Sequence, residues 1–152
     1  MWIDAHAFEQ LVESGLRASR EGQHEIALSL LDRALELYGG DFLADDLYED
    51  WAMVERERIR ALVENAARKA TEICEQRRDL HKSLEYARWL AELERYDSDV
   101  QLRLIRLCLT CGRRSEAARR YNAFRSRLIR DFGQEPEFDL ATAAVGAKAA
   151  SA

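Results

Sequence analysis

The chain has 152 residues, 47% hydrophobic and 34% charged, and a formal net charge of −5. That length supports one domain with a real core, and one proline and seven glycines exclude a β-sandwich or a disordered chain while leaving room for long helices. No apolar run is long enough to span a membrane, and three cysteines fit a reducing interior better than a disulfide scaffold.

In chain order, "MWIDAHAFEQ" lacks the basic n-region and apolar core of a signal peptide, so a cytoplasmic location is expected. Apolar residues then recur at helical spacing. Phe8, Leu11, Val12 and Leu16 form a first stripe; Ala27, Leu31, Ala34, Leu35 and Tyr38 form a second, closed by Gly39-Gly40. After the segment "GGDFLADDLYEDWAMVERERIR", which opens a long helix, come Ala66, Ala70, Ile73 and Cys74, then Leu84, Ala87 and Ala91. Val100, Leu104, Leu107 and Cys108 follow, and Ala117, Tyr121, Phe124, Leu128 and Phe132 share the last face. Gly133 stops that helix, and Pro136 prevents its prompt resumption. The tail 141–152, "ATAAVGAKAASA", is of low complexity and is expected to be disordered. Polar breaks at 20–23, 76–79, 94–99 and 111–114 are short enough to make neighbouring helices antiparallel.

The stripes share a register. Ala66 aligns with Val100, Ala70 with Leu104, Ile73-Cys74 with Leu107-Cys108, and Ser83, Ala87 and Leu90 with Ala117, Tyr121 and Phe124. The offset of 34 residues is the period of a tetratricopeptide (TPR) repeat. Ala27, Leu31 and Ala34 repeat that spacing 56 residues before Ser83, which places an insertion between repeats one and two. Gly15 stands where such a repeat needs a small residue for close helix contact. The expected fold is all-α: a TPR-like right-handed superhelix of three helical hairpins with one extended connecting helix, over residues 1–140.

Catalytic chemistry finds no foothold. Cys74 and Cys108 occupy one repeat position, equivalent to Ala18, where a small apolar side chain packs. Cys108 and Cys111 form C-x2-C, yet zinc needs about four ligands and no second pair follows. Asp41, Asp45, Asp46, Glu49 and Asp50 lack the spacing of a calcium loop, and they suit a helix start. The serines have no G-x-S-x-G setting, and no glycine-rich phosphate loop exists. No enzyme, metal or cofactor is expected.

Charge is uneven. Residues 1–60 are acidic, whereas Gln101 to Arg130 carries nine arginines and the single acid Glu116. Such polarity suits an oppositely charged partner, and equally suits solvated helix faces that keep the protein soluble. Direct nucleic-acid binding would need exposed aromatic or polar readers beside the arginines, and here the aromatics fall on the core stripe. Arg120, Arg127 and Arg130 can instead pair with Glu116, Asp131 or the acidic half.

Three stretches, "DAHAFEQLVESG", "ALELYGGDFLADDLYEDWA" and "GRRSEAARRYNAFRSRLIRDFGQEPEFDL", together resemble the bacterial transcriptional activator domain, the TPR-like module of SARP-type and related winged-helix and ATPase-containing regulators. The features that carry the resemblance are Phe8, Gly15, Leu35, Gly40, Leu43, Trp51, Arg56 and Arg58. In the second half they are Gly112, Ala117, Tyr121, Arg125, Leu128, Gly133, Glu135 and Pro136. Two turns depart from the pattern: Arg77-Arg78-Asp79 replaces a glycine turn, and Tyr96-Asp97-Ser98 replaces a proline.

The resemblance implies a regulatory protein–protein interaction module whose DNA-contacting winged-helix domain is not among these residues. Its partner would be a second copy, the transcription machinery, or a fused winged-helix or ATPase domain, with DNA reached only indirectly. A homodimer is one form this could take, and a generic TPR scaffold gripping a peptide is the alternative. Repeat position assigns the partner surface to Glu9, Val12, Leu16, Arg20, Arg68, Glu72, Arg103, Arg106 and Leu109, extended by Arg113, Arg114, Arg119 and Arg120. Trp51 and Arg58 are expected to lock the long helix to the first hairpin.

Overall fold

The computed structural model describes residues 5–38 and 53–151. Among these it contains seven α-helices and no strand: α1 (Ala5–Arg20), α2 (His24–Leu37), α3 (Met53–Gln76), α4 (Leu80–Leu93), α5 (Ser98–Thr110), α6 (Arg114–Phe132) and α7 (Leu140–Ser151). The helices fall into two compact units, Met1–Arg77 and Arg78–Ala152. The acidic segment Asp41–Asp50 and Trp51 lie outside the described residues.

In the first unit α1 and α2 form a hairpin against which α3 packs. Phe8, Val12, Ala27, Leu31, Ala34, Ile59 and Val63 are fully buried between them, each large side chain stabilising by about 1.5–3 kcal/mol on transfer from water. Gly15 does what its position predicted. A Cβ there would stand 2.7 Å from Leu31 Cδ2, so any larger residue would have to displace Leu31 where the two helices meet. Arg58 pairs with Glu9 at 2.5 Å, which ties α3 to α1 as expected.

In the second unit α4 packs on α5, and α5 in turn on α6 and α7. Leu84, Leu90, Leu104, Ile105 and Phe124 fill the core. Buried Gln101 donates from Nε2 to the carbonyls of Ala91 and Glu94, at 3.1 and 3.0 Å, so α5 satisfies the open end of α4. Residues aligned by the 34-residue register share a fate. Ala66 and Val100, Ala70 and Leu104, Ile73 and Leu107, and Cys74 and Cys108 are all buried.

The turns repeat as well. After α1, Gln23 N–H donates to Ala18 carbonyl (2.9 Å) and Gly22 N–H to Ser19 carbonyl (3.1 Å). After α5, Arg113 N–H donates to Cys108 carbonyl (2.8 Å) and Gly112 N–H to Leu109 carbonyl (3.0 Å). Both are Schellman closures with a left-handed glycine, at φ 77° and 76°. In the turn after α3 the same conformation falls on Arg78, φ 61°. Replacing glycine there leaves the geometry in place and charges it to an L side chain. In the other departing turn, Asp97 accepts from the amides of Asp99 (3.0 Å) and Val100 (3.2 Å), a side-chain cap that starts α5 without proline.

Two expectations need correction. The Ala-rich tail is helical, not disordered. Asp139 caps α7 by accepting from Thr142 N–H at 2.7 Å, Ala143 is fully buried, and Phe138 anchors the entry by stacking on Phe124 at 5.9 Å. Alanine is the best helix former, and a cap plus one buried face suffices to order it. Phe132, assigned to the packed face, is 57% exposed. The core ends one turn earlier, at Leu128, and Phe132 meets the ring of Tyr96 edge-on at 5.2 Å.

Candidate functional site

Helix α6 buries Ala117, Phe124 and Leu128, so its arginines are left on the remaining faces. Glu116, the lone acid of the arginine-rich stretch, is itself only 7% exposed. A carboxylate out of water must be paired, and this one gathers three cations. Arg88, reaching from α4, donates to both of its oxygens at 2.8 and 2.6 Å. Arg113 adds a bond of 2.7 Å and Arg120 one of 3.4 Å. The Arg88 bonds hold the Glu116 carboxyl well below the usual glutamate range against the opposing effect of burial. The same bonds raise Arg88.

Beside this hub a cleft of about 310 Å³ opens, with Arg95, Arg119, Arg120 and Arg127 on its walls together with Glu92 and Glu116. Arg120 also reaches Glu92 at 3.3 Å. Arg127 donates from Nη2 to the Arg95 carbonyl at 3.0 Å and lies 5.9 Å from the Phe124 ring centre. Its Nε is buried without an acceptor. Burial, and then the neighbouring charge of Arg95, push its pKa down. Among the described residues, no ion pair engages the guanidinium of Arg95 or of Arg119.

A second hollow of about 260 Å³ adjoins the α4–α5 turn, lined by Tyr96, Ser98, Leu128, Phe132, Glu135 and Glu137 among others. Tyr96 donates to Asp131 at 2.5 Å, and Arg130 holds the same carboxylate at 3.0 Å. Arg130 first, then Tyr96, lower Asp131 to about 2. Arg125 forms a two-bond pair with Glu135, both at 2.7 Å.

The residues assigned to a partner surface are thus sorted by the structure. Val12 is fully buried and packs the first hairpin, so it is not offered to a partner; its place on the stripe facing α2 decides this. Leu16 is half-buried and Arg20 exposed. Glu9 is engaged by Arg58, Arg68 by Glu64 at 2.7 Å, and Glu72 by Lys69 at 2.9 Å. Arg103 and Leu109 are half-buried. Arg106 is covered from within, since a Cβ on Gly146 of α7 would stand 2.3 Å from its Nε. Arg113 and Arg120 serve Glu116, whereas Arg114 and Arg119 are exposed. Of the thirteen, Arg119 and Arg120 come together in the cleft.

Sequence reasoning missed the opposite wall. Arg88, Glu92 and Arg95 lie on or just after α4, 28 residues from their partners Glu116 and Arg120 in the first two cases and 32 from Arg127 in the third. Helical periodicity shows which residues face outward, not which outward residues meet across a helix pair.

The thiols are quiet. Cys74 and Cys108 are buried, and burial first, then Glu116, pushes Cys108 up to about 11. Cys111 is half-buried with Sγ 4.0 Å from the Leu80 carbonyl. No described helix is long and apolar enough to cross a membrane. A model of the bacterial transcriptional activator domain matches residues 3–145. No curated protein and no solved structure gives a match.

Proposed function

Because the chain belongs to the bacterial transcriptional activator domain family, a domain of transcriptional regulators, we propose that it is the regulatory interaction module of such a regulator. It holds another protein, whether a second copy, the transcription machinery or a fused winged-helix or ATPase domain, and it carries out no catalysis. DNA is reached through a domain outside these residues, and the module works in the cytoplasm.

One observation carries the reading beyond family membership. The arginine-lined cleft by α6 displays more cations than the chain neutralises from within. A surplus of like charge at one surface attracts a partner of opposite charge.

A reporter fusion tests the reading. The chain is joined to an unrelated DNA-binding domain and placed upstream of a promoter in a bacterial host. Transcription above that of the DNA-binding domain alone is expected. Equal output, with the fusion protein intact, overturns the proposal.

A further inference from the structure

We propose that the cleft by α6 and the adjoining hollow form one docking groove for an acidic peptide segment of a partner protein. A carboxylate would sit among Arg95, Arg119 and Arg127, and an apolar side chain against Tyr96 and Phe132. This rests on the interaction-module reading and adds the chemistry of the partner.

Three observations converge. Four guanidiniums line the cleft against two carboxylates, and Glu116 is already shared by Arg88, Arg113 and Arg120. Arg127 is immobilised by the Arg95 carbonyl and the Phe124 ring, with a buried Nε that has no acceptor. A fixed donor without an acceptor in a cationic cleft asks for an anion. In the adjoining hollow the chain leaves Tyr96 44% and Phe132 57% exposed, two aromatic rings side by side that offer apolar surface to an occupant.

The two hollows meet at consecutive residues, Arg95 in one and Tyr96 in the other. An occupant of both must therefore present negative charge and then apolar surface along one strand of covalent structure. A protein segment does so. Free phosphate would use the first hollow alone. A nucleic-acid strand would carry its phosphates on into the second, where Glu137 stands on the wall and repels them.

The test is fluorescence anisotropy with the whole chain and a fluorescein-labelled peptide in which a run of glutamates is followed by a run of leucines. Its glutamine counterpart and a short DNA duplex serve as comparisons. The glutamate peptide should bind at least about tenfold more tightly than the glutamine peptide, the worth of one charge-assisted contact. The exposed double variant Arg95→Glu/Arg119→Glu should lose about that factor again while its melting temperature stays unchanged, and Phe132→Ser should weaken binding without abolishing the preference for charge. Equal affinity for both peptides, an unaffected double variant, or duplex binding that depends on the same two arginines each overturns the proposal. Activation in the reporter fusion alongside failed peptide binding would refute the groove and leave the interaction-module reading standing.

Discussion

Arg78 and Gly112 hold the same left-handed backbone, φ 61° and 76°, in turns that lie 34 residues apart. Gly22, at φ 77°, is the third member of the series. The register read from apolar stripes therefore extends to backbone dihedrals, since each of these helices ends on a left-handed residue at the same repeat position. Arg78 is the position that bears strain. Arg78→Gly should raise stability by about 1 kcal/mol, the usual penalty for an L residue in this region. Gly112→Ala should cost a similar amount or more. Urea unfolding midpoints of the two variants check both signs.

The Glu116 hub predicts an acid-sensitive second unit. Its folded pKa lies below the ordinary value, so its stabilisation is complete above about pH 4.3 and is lost as pH falls toward the depressed folded value. In that interval the unfolded chain binds the extra proton. Glu116→Gln should destabilise by about 2–3 kcal/mol at neutral pH, less than a fully buried pair because its arginines remain in reach of water. It should also flatten the fall in urea midpoint between neutral and acidic solution. A variant as acid-labile as the parent would contradict the assignment.

Gly15→Ala sets two effects against each other. Alanine gains about 1 kcal/mol in helix propensity, but its methyl would meet fully buried Leu31 at 2.7 Å. Overpacking of this kind typically costs about 1–3 kcal/mol, so a net loss of about 1 kcal/mol is expected. A rise in melting temperature would show that the α1–α2 contact is looser than described.

Asp139 caps the start of α7. Asp139→Ala removes the acceptor for Thr142 N–H and should cost about 1 kcal/mol. Hydrogen exchange over residues 140–146 should accelerate, while the amides of α1 and α2 keep their protection. No change across α7 would mean that Phe138 and Ala143 alone hold the helix.

Alkylation reads out the cysteines. Native protein treated with iodoacetamide should take up label slowly at half-buried Cys111 and resist it at Cys74 and Cys108. All three should react in denaturant, and peptide mass spectrometry distinguishes the sites. Fast labelling of Cys108 would be incompatible with a thiol raised to about 11 in the core.

Much of this protein is written in the chain. The period of the apolar stripes fixes the helices, the equivalence of positions such as Cys74 and Cys108, and the need for Gly15, because which face of a helix is apolar depends on local spacing. The absence of nucleophile and phosphate-loop patterns is equally local. What the sequence left open depends on pairs far apart in number: Arg88 with Glu116, Arg127 with the Arg95 carbonyl, Gly146 against Arg106. Outward-facing charges look alike in sequence, and only the packing of α4, α5 and α6 determines which are neutralised and which are not. The tail shows the same division. Its alanines favour a helix, but it took Asp139 at its start and a core surface for Ala143 to make one.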